Sequence, residues 1–304
     1  MGLLIRLLLT LLLAAWLPEA LAAQVAFVLS DDSKAFQESA ETAATELRNA
    51  GHRVETFILK GNDPPPAFTS HALIVTFGSR AAQVLNNTSP RSLLLHTLLP
   101  RSAYERLPTR FEDNRKVSAV FIDQPVGRQL ELLRIALPDW PRAAVLTSRD
   151  STDLGRQFQQ QAKDRRLRLH TEQVNDNGDV YPALLRLLAE PSVLIATPDS
   201  SLFNNRSIPN ILLTAYHQHS PVMGFSPAYV KAGALLALYS TPTQLGQQTG
   251  EMARQGLSTG SFQPPSAPRH FRVGVNSYVA RALGLNLDDE TSLTDKLERS
   301  EGSP

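Results

Sequence analysis

One unit recurs along this chain of 304 residues: a short apolar run, a break of small polar residues, then a stretch with helical spacing. The run at 25–29 is wholly apolar and breaks at Ser30, Asp31, Asp32 and Ser33. It leads into Phe36, Ala40, Ala43, Ala44 and Leu47 on one helical face, with Gly51 placed to end the helix. Continuous apolar runs of this length fit parallel strands buried on both faces, because crossover helices cover both sides of such a sheet. Strands alternating with helices mean right-handed βαβ units. The chain is therefore expected to be α/β.

Further runs at 54–59, 72–77, 92–97 and 117–122 complete a first series of strands, with Gly78 and Ser79 as a tight turn after the third. Asp123, Gln124 and Pro125 mark a crossing, and a helix with Val126, Leu130, Leu133 and Leu137 in its stripe ends before Pro138. A second series follows, with runs at 143–147, 167–171, 192–196 and 221–225. A chain of this length suits two domains of ordinary size. The expected architecture is two similar doubly wound parallel-sheet lobes joined by a hinge. Lobe 1 takes 24–122 plus 227–262, and lobe 2 takes 123–226 plus 263–290. In this division the stretch after Ser226 is a return crossing to lobe 1. The charged residues 291–304 carry no core pattern and are expected to fray.

Residues 1–23 read as a signal peptide. Arg6 precedes an apolar run at 7–17 that is too short to span a bilayer, Pro18 breaks it, and Ala20 and Ala22 supply the small residues of a cleavage site after Ala22 or Ala23. The chain has no cysteine, which excludes disulfides, thiolate metal sites, cysteine nucleophiles and a lipidated N-terminal cysteine. Export without disulfides leads to the expectation of a periplasmic, non-lipidated monomer. Net charge is +1 and there is no basic stripe, so nucleic acid is not an expected partner.

Gly224, Ser226 and Ala228 imitate a nucleophile elbow, but Ala228 stands where the last glycine belongs, and Pro227 lacks an amide that an oxyanion hole needs. No glycine-rich phosphate loop is present. His217 and His219 sit near the end of a predicted helix, where histidine complements the helix dipole, and neither metal nor cofactor is expected. What remains is a ring of residues at the carboxyl ends of strands: Ser30, Asp31, Gly78, Ser79, Thr97, Asp123, Thr147, Ser148, Asp199 and Ser226. Open α/β sheets collect ligands outside those ends, and several of these residues precede helices whose free amides favour an anion. The set is rich in hydrogen-bonding groups and poor in catalytic ones, which is binding without chemistry. Capping is the competing role for Asp31, and a turn or cap is the competing role for each of the others.

Several marks together resemble the substrate-binding proteins of ABC transporters, in the type I periplasmic binding protein superfamily and near its aromatic amino acid binders. They are the residues 129–133 with Leu137 and Pro138, Pro198 with Asp199, the stretch 221–226, residues 232–235, Gln244 to Gly246, Gly250, 273–276 and 282–285. The resemblance implies two lobes closing on a small polar or amphipathic molecule, delivered to an ABC permease or reported to a membrane sensor, with an enzyme on the same fold as a third reading. It implies that Gly78, Ser79 and Arg80 hold a ligand carboxylate, and that Asp199 holds an ammonium group. Ser226 stands where the family often has a second aspartate. The pocket is accordingly expected to be less acidic than the family's amino acid sites.

Overall fold

A computed structural model of the chain describes residues 22–61, 66–86, 92–108, 116–175 and 180–302. The expected signal peptide, 1–23, lies outside the described residues except for its last two. Strand β1 (Gln24–Leu29) is apolar throughout after Gln24, and residues 25–29 are at most 1% exposed. It sits between β2 (Arg53–Ile58) and β3 (Leu73–Phe77), and β4 (Leu93–Leu99) and β5 (Val117–Phe121) extend the sheet beyond β3. All pairings in this first sheet are parallel, in the order β2-β1-β3-β4-β5.

The second sheet is built from β6 (Arg142–Thr147), β7 (Arg168–Gln173), β8 (Val193–Ile195), β9 (Val222–Gly224), β10 (Leu236–Tyr239) and β11 (Arg272–Val275). Its order is β11-β10-β9-β8-β6-β7, with only the β10–β11 pairing antiparallel. Read from its edge, β7-β6-β8-β9-β10 repeats β2-β1-β3-β4-β5 place for place. Each lobe therefore reverses its winding beside its first strand, which opens a crevice at the carboxyl ends there. The two similar doubly wound lobes expected from the alternating runs are present.

Helices α1 (Lys34–Asn49), α2 (Ser79–Asn86) and α3 (Arg101–Glu105) follow strands of the first sheet. Helices α4 (Val126–Ala136), α5 (Thr152–Asp164), α6 (Val180–Leu187), α7 (Ile208–His217) and α8 (Pro227–Ala232) belong to the second series. Then come α9 (Pro242–Thr259), α10 (Ser277–Ala282) and α11 (Glu290–Gly302). The first lobe's core stacks Phe27 on Phe77 at 5.1 Å and packs Ala40, Ala43 and Leu47 of α1 beneath them. The second lobe's larger core gathers Leu130 and Leu133 of α4, Phe158 of α5 and Val193, Ile195 and Leu236 of the sheet. Among the described residues, no helix is long and apolar enough to cross a membrane.

Three expectations are corrected. The stretch after Ser226 does not return to lobe 1: α8 and β10 stay in the second lobe, where β10 pairs with β9 and β11. The apolar run at 234–238 announces a strand but not which sheet receives it. The return comes at 240–241, where α9 begins on Thr241, whose hydroxyl accepts from the Gln244 amide at 3.1 Å. Helix α9 then packs along α1, and Gly246 makes that approach possible because a β-carbon there would sit 2.4 Å from the Ser39 carbonyl oxygen. The boundary set at 263 also moves, since Ser266 bridges to Val120 and its carbonyl accepts from the Phe121 amide at 3.0 Å, adding a short edge to the first sheet. The tail does not fray. Leu293 and Leu297, one turn apart on α11, are fully buried against the second lobe's core, and two leucines among many charges made a stripe too sparse to see.

The chain crosses between lobes three times, at 122–125, at 240–241 and between α9 and β11. The buried Arg128 on α4 fastens the first crossing to the third. Its guanidinium donates to Gln124 Oε1 at 2.8 Å, to the Pro268 carbonyl at 2.9 Å and to both carboxylate oxygens of Glu301 at 2.6 and 2.9 Å, and it lies 4.3 Å from the Phe271 ring centroid. Gln124 in turn donates to Ser240 Oγ at 2.9 Å, and Ser240 to the His270 carbonyl at 2.5 Å. All three crossings are thus held by one polar network. The end of α11, expected to be free, supplies its carboxylate.

Candidate ligand cleft

The reversal point of the second lobe carries a dense cluster. Asp199 follows β8 and is 7% exposed. Its Oδ2 accepts from Ser148 at 2.6 Å and Ser151 at 2.8 Å, and its Oδ1 accepts from the Ser201 hydroxyl at 2.5 Å and amide at 3.1 Å. Burial pushes this carboxyl up, but the hydrogen bonds from Ser148, Ser201 and Ser151 outweigh it and hold Asp199 below the ordinary carboxylate range. Ser148 and Ser151 also form a capping box just before α5, so Asp199 sits as an anion at that helix start.

The first lobe's reversal point is a joint of a different kind. Ser30 donates to the Phe77 carbonyl at 2.8 Å and accepts from the Ala81 amide at 2.9 Å, which ties β1 to β3 and caps α2. Gly78, at φ +91°, is required there: a β-carbon would lie 2.6 Å from both Ser30 Oγ and the Phe36 ring. The Arg80 guanidinium donates to the carbonyls of Ser30 at 3.2 Å, Leu59 at 3.5 Å and Gly61. It braces strand ends and does not reach the interlobe cavity described next.

Between the lobes, against the crossings, lies a cavity of about 130 Å³. Arg101, Ser102 and Glu105 of α3 form its first-lobe wall, Asp123, Gln124, Pro125 and Ala267 its hinge side, and Asp150, Ser151, Asp153, Gln157, Thr197 and Asp199 line it from the second lobe. Asp123 Oδ2 accepts from the Arg101 amide at 2.7 Å. Burial pushes the Asp123 carboxyl up to about 6, against the lowering influence of the Arg101 amide and guanidinium. Thr197 is 1% exposed, and its hydroxyl, sealed from solvent, has no hydrogen-bond partner among the described residues. Across the mouth, Arg106 of the first lobe pairs with Asp150 of the second at 2.5 Å.

Of the expected strand-end residues, Asp123 and Asp199 line this cavity, and Ser148 stands directly behind Asp199. Asp31 is exposed and accepts from the Ser33 amide at 2.8 Å, a turn ahead of α1 that does not cap the helix. Thr97 is fully buried and its hydroxyl meets that of Thr249 at 2.8 Å, because it continues the alternation of Leu93 and Leu95 toward the core shared with α9. Thr147 is buried with its methyl facing Gly155 of α5. Ser79 opens α2 and Ser226 precedes α8, both half-buried and neither in the cavity wall. Five carboxylates line the cavity, those of Glu105, Asp123, Asp150, Asp153 and Asp199. Four of those five follow strands closely, but Glu105 arrives on a short helix that the apolar pattern barely marks.

A larger open depression of about 700 Å³ lies on the flank of the second lobe, between Tyr181 on α6 and Asn210 on α7. Its Asn204 accepts from the Arg206 and Ser207 amides and serves its own turn. Among the described residues no group of three or more histidines, aspartates or glutamates could hold a metal ion.

Residues 69–295 match the family described as ABC transporter substrate binding protein. The chain belongs to that family. Similar solved structures include a ligand-free, open substrate-binding protein with adhesive properties from Clostridium difficile, 20% identical with a TM-score of 0.67. Another is a domain in complex with L-Trp from Streptococcus pneumonia, 16% identical with a TM-score of 0.65. A conserved domain protein from Vibrio cholerae is 19% identical with a TM-score of 0.63. Each covers 88% of this chain, and the chain covers 96% of each of them. No curated protein matches. The fold is that of the type I periplasmic binding proteins, and the family's role is the binding of solutes.

Proposed function

We propose that this chain captures a small molecule in the cleft between its lobes, outside the cytoplasm, and delivers it unchanged to an ABC permease in the inner membrane. The observation that carries the reading is the interlobe cavity itself. It is walled by both lobes, bounded by the crossings, and lined with polar side chains from each lobe. The family membership supports the permease partner and the absence of covalent chemistry.

The test is thermal shift of ligand-free protein against a library of metabolites. A cleft ligand present at about a hundred times its dissociation constant adds about 2.7 kcal/mol, a rise of several degrees. A library that leaves the melting temperature unmoved throughout overturns the proposal.

A further inference from the structure

Resting on the reading of two lobes that close on a solute, one ion pair gains a role in the closing. Helix α3 runs along the first-lobe wall of the cavity and is fixed to its surroundings along its length. Its first amide, that of Arg101, donates to Asp123 Oδ2 at 2.7 Å, at the first crossing. The Tyr104 ring meets the Phe121 ring of β5 edge to face, 5.5 Å between centroids. Just past the helix end, the buried Asn86 side chain of α2 donates to the Pro108 carbonyl at 2.8 Å. Arg106, between these anchors, is carried by the first lobe as part of a rigid body.

Asp150 is carried by the second lobe in the same way. It lies in the turn of residues 149–151 before α5, where its amide donates to Ser148 Oγ at 3.2 Å and Ser148 donates to Asp199 at 2.6 Å. Arg106 Nη1 donates to Asp150 Oδ2 at 2.5 Å. Among the described residues this is the one ion pair that joins the lobes away from the crossings. The neighbouring charges pair inside their own lobes, Glu105 with Arg101 at 3.9 Å and Asp153 with Arg156. Any rotation that parts the lobes about the crossings must break the Arg106–Asp150 bond, because a hydrogen bond is lost once its atoms move apart by about 1 Å.

We infer that Arg106 and Asp150 form a latch, a pair made only when the lobes are together, which favours the closed arrangement and loosens as ionic strength rises. The two side chains are 49% and 50% exposed, so water weakens their attraction and salt screens it further. A weak latch suits a cleft that has to reopen. Asp150 also lines the cavity, so the pair draws the cavity wall itself together.

The test is run on the whole protein without added solute. The chain has no cysteine, so spin labels on Lys34→Cys and Ala228→Cys, both exposed and one on each lobe, report the interlobe distance by pulsed dipolar spectroscopy. Arg106→Gln and Asp150→Asn are each expected to lower the ratio of closed to open protein by up to about fivefold. Asp150→Arg, which sets two like charges face to face, is expected to open the lobes further, and the exchange Arg106→Asp with Asp150→Arg is expected to close them again. Sodium chloride at about 1 M, where the Debye length is about 3 Å, is expected to open the wild type but not the Arg106→Gln/Asp150→Asn protein. A wild type that is open throughout at low salt overturns the latch, as do distributions that coincide across the single variants and across salt. A charge exchange that leaves the lobes as open as Asp150→Arg alone overturns it too. Solute capture falls on a separate result, a metabolite library that moves no melting temperature.

Discussion

Asp199→Ala is expected to lower the melting temperature by roughly 5–10 °C, a loss of about 2–4 kcal/mol. The carboxylate organises the loop after β8 and the start of α5 together, and its removal leaves the hydroxyls of Ser148, Ser151 and Ser201 without their acceptor. The effect also carries a pH signature. Since the folded carboxyl is held below the ordinary carboxylate range, its contribution is present above that range and is lost as pH falls through the lower folded value. The stability gap between wild type and Asp199→Asn, followed by thermal unfolding across acid pH, should therefore narrow below the ordinary carboxylate range. An Asp199→Ala protein with wild-type stability but no solute binding would return Asp199 to the role of ligand anchor.

Arg128→Ala is expected to cost about 2–4 kcal/mol, the scale of leaving two buried acceptors unmet. Arg128 is 8% exposed, and its loss leaves Gln124 Oε1 and the Pro268 carbonyl short of a donor within the network that joins the crossings. Glu301→Gln is the matched control. The glutamine keeps an oxygen that can accept from Arg128, whose guanidinium still donates to Gln124 Oε1 and the Pro268 carbonyl, and a smaller loss of about 1–2 kcal/mol is expected. Chemical denaturation of both variants, with hydrogen exchange at 122–125 and 240–241, separates the two. Equal effects from both substitutions would place the stabilisation in the exposed ion pair and not in the network at the crossings.

The alternation of apolar runs was enough to read two doubly wound lobes, because parallel strands buried on both faces admit little but continuous hydrophobic sequence. What it could not show was destination. The run at 234–238 looks the same whether its strand joins the first sheet or the second, and it joins the second. Asp199 was legible as a strand-end acid after a proline, although its four hydrogen bonds to nearby serines were not. Thr97 and Arg80 show the reverse failure: both follow or end apolar runs, yet strand alternation turns one into the core and three carbonyls capture the other. Asp123 stood in the strand-end ring, while Thr197 was visible only as part of a turn. Its unpartnered state is a property of the packed protein.

The central claim is that a solute is taken up between lobes that close on it. The absence of cysteine allows spin labels to be placed cleanly on Lys34→Cys at the start of α1 and Ala228→Cys at the start of α8, both exposed and on opposite lobes. Pulsed dipolar spectroscopy then reads the interlobe distance with and without a ligand found by thermal shift. A distribution that shortens and narrows on binding is the expected result. A ligand that saturates the protein while the distribution stays where it was would contradict capture between the lobes.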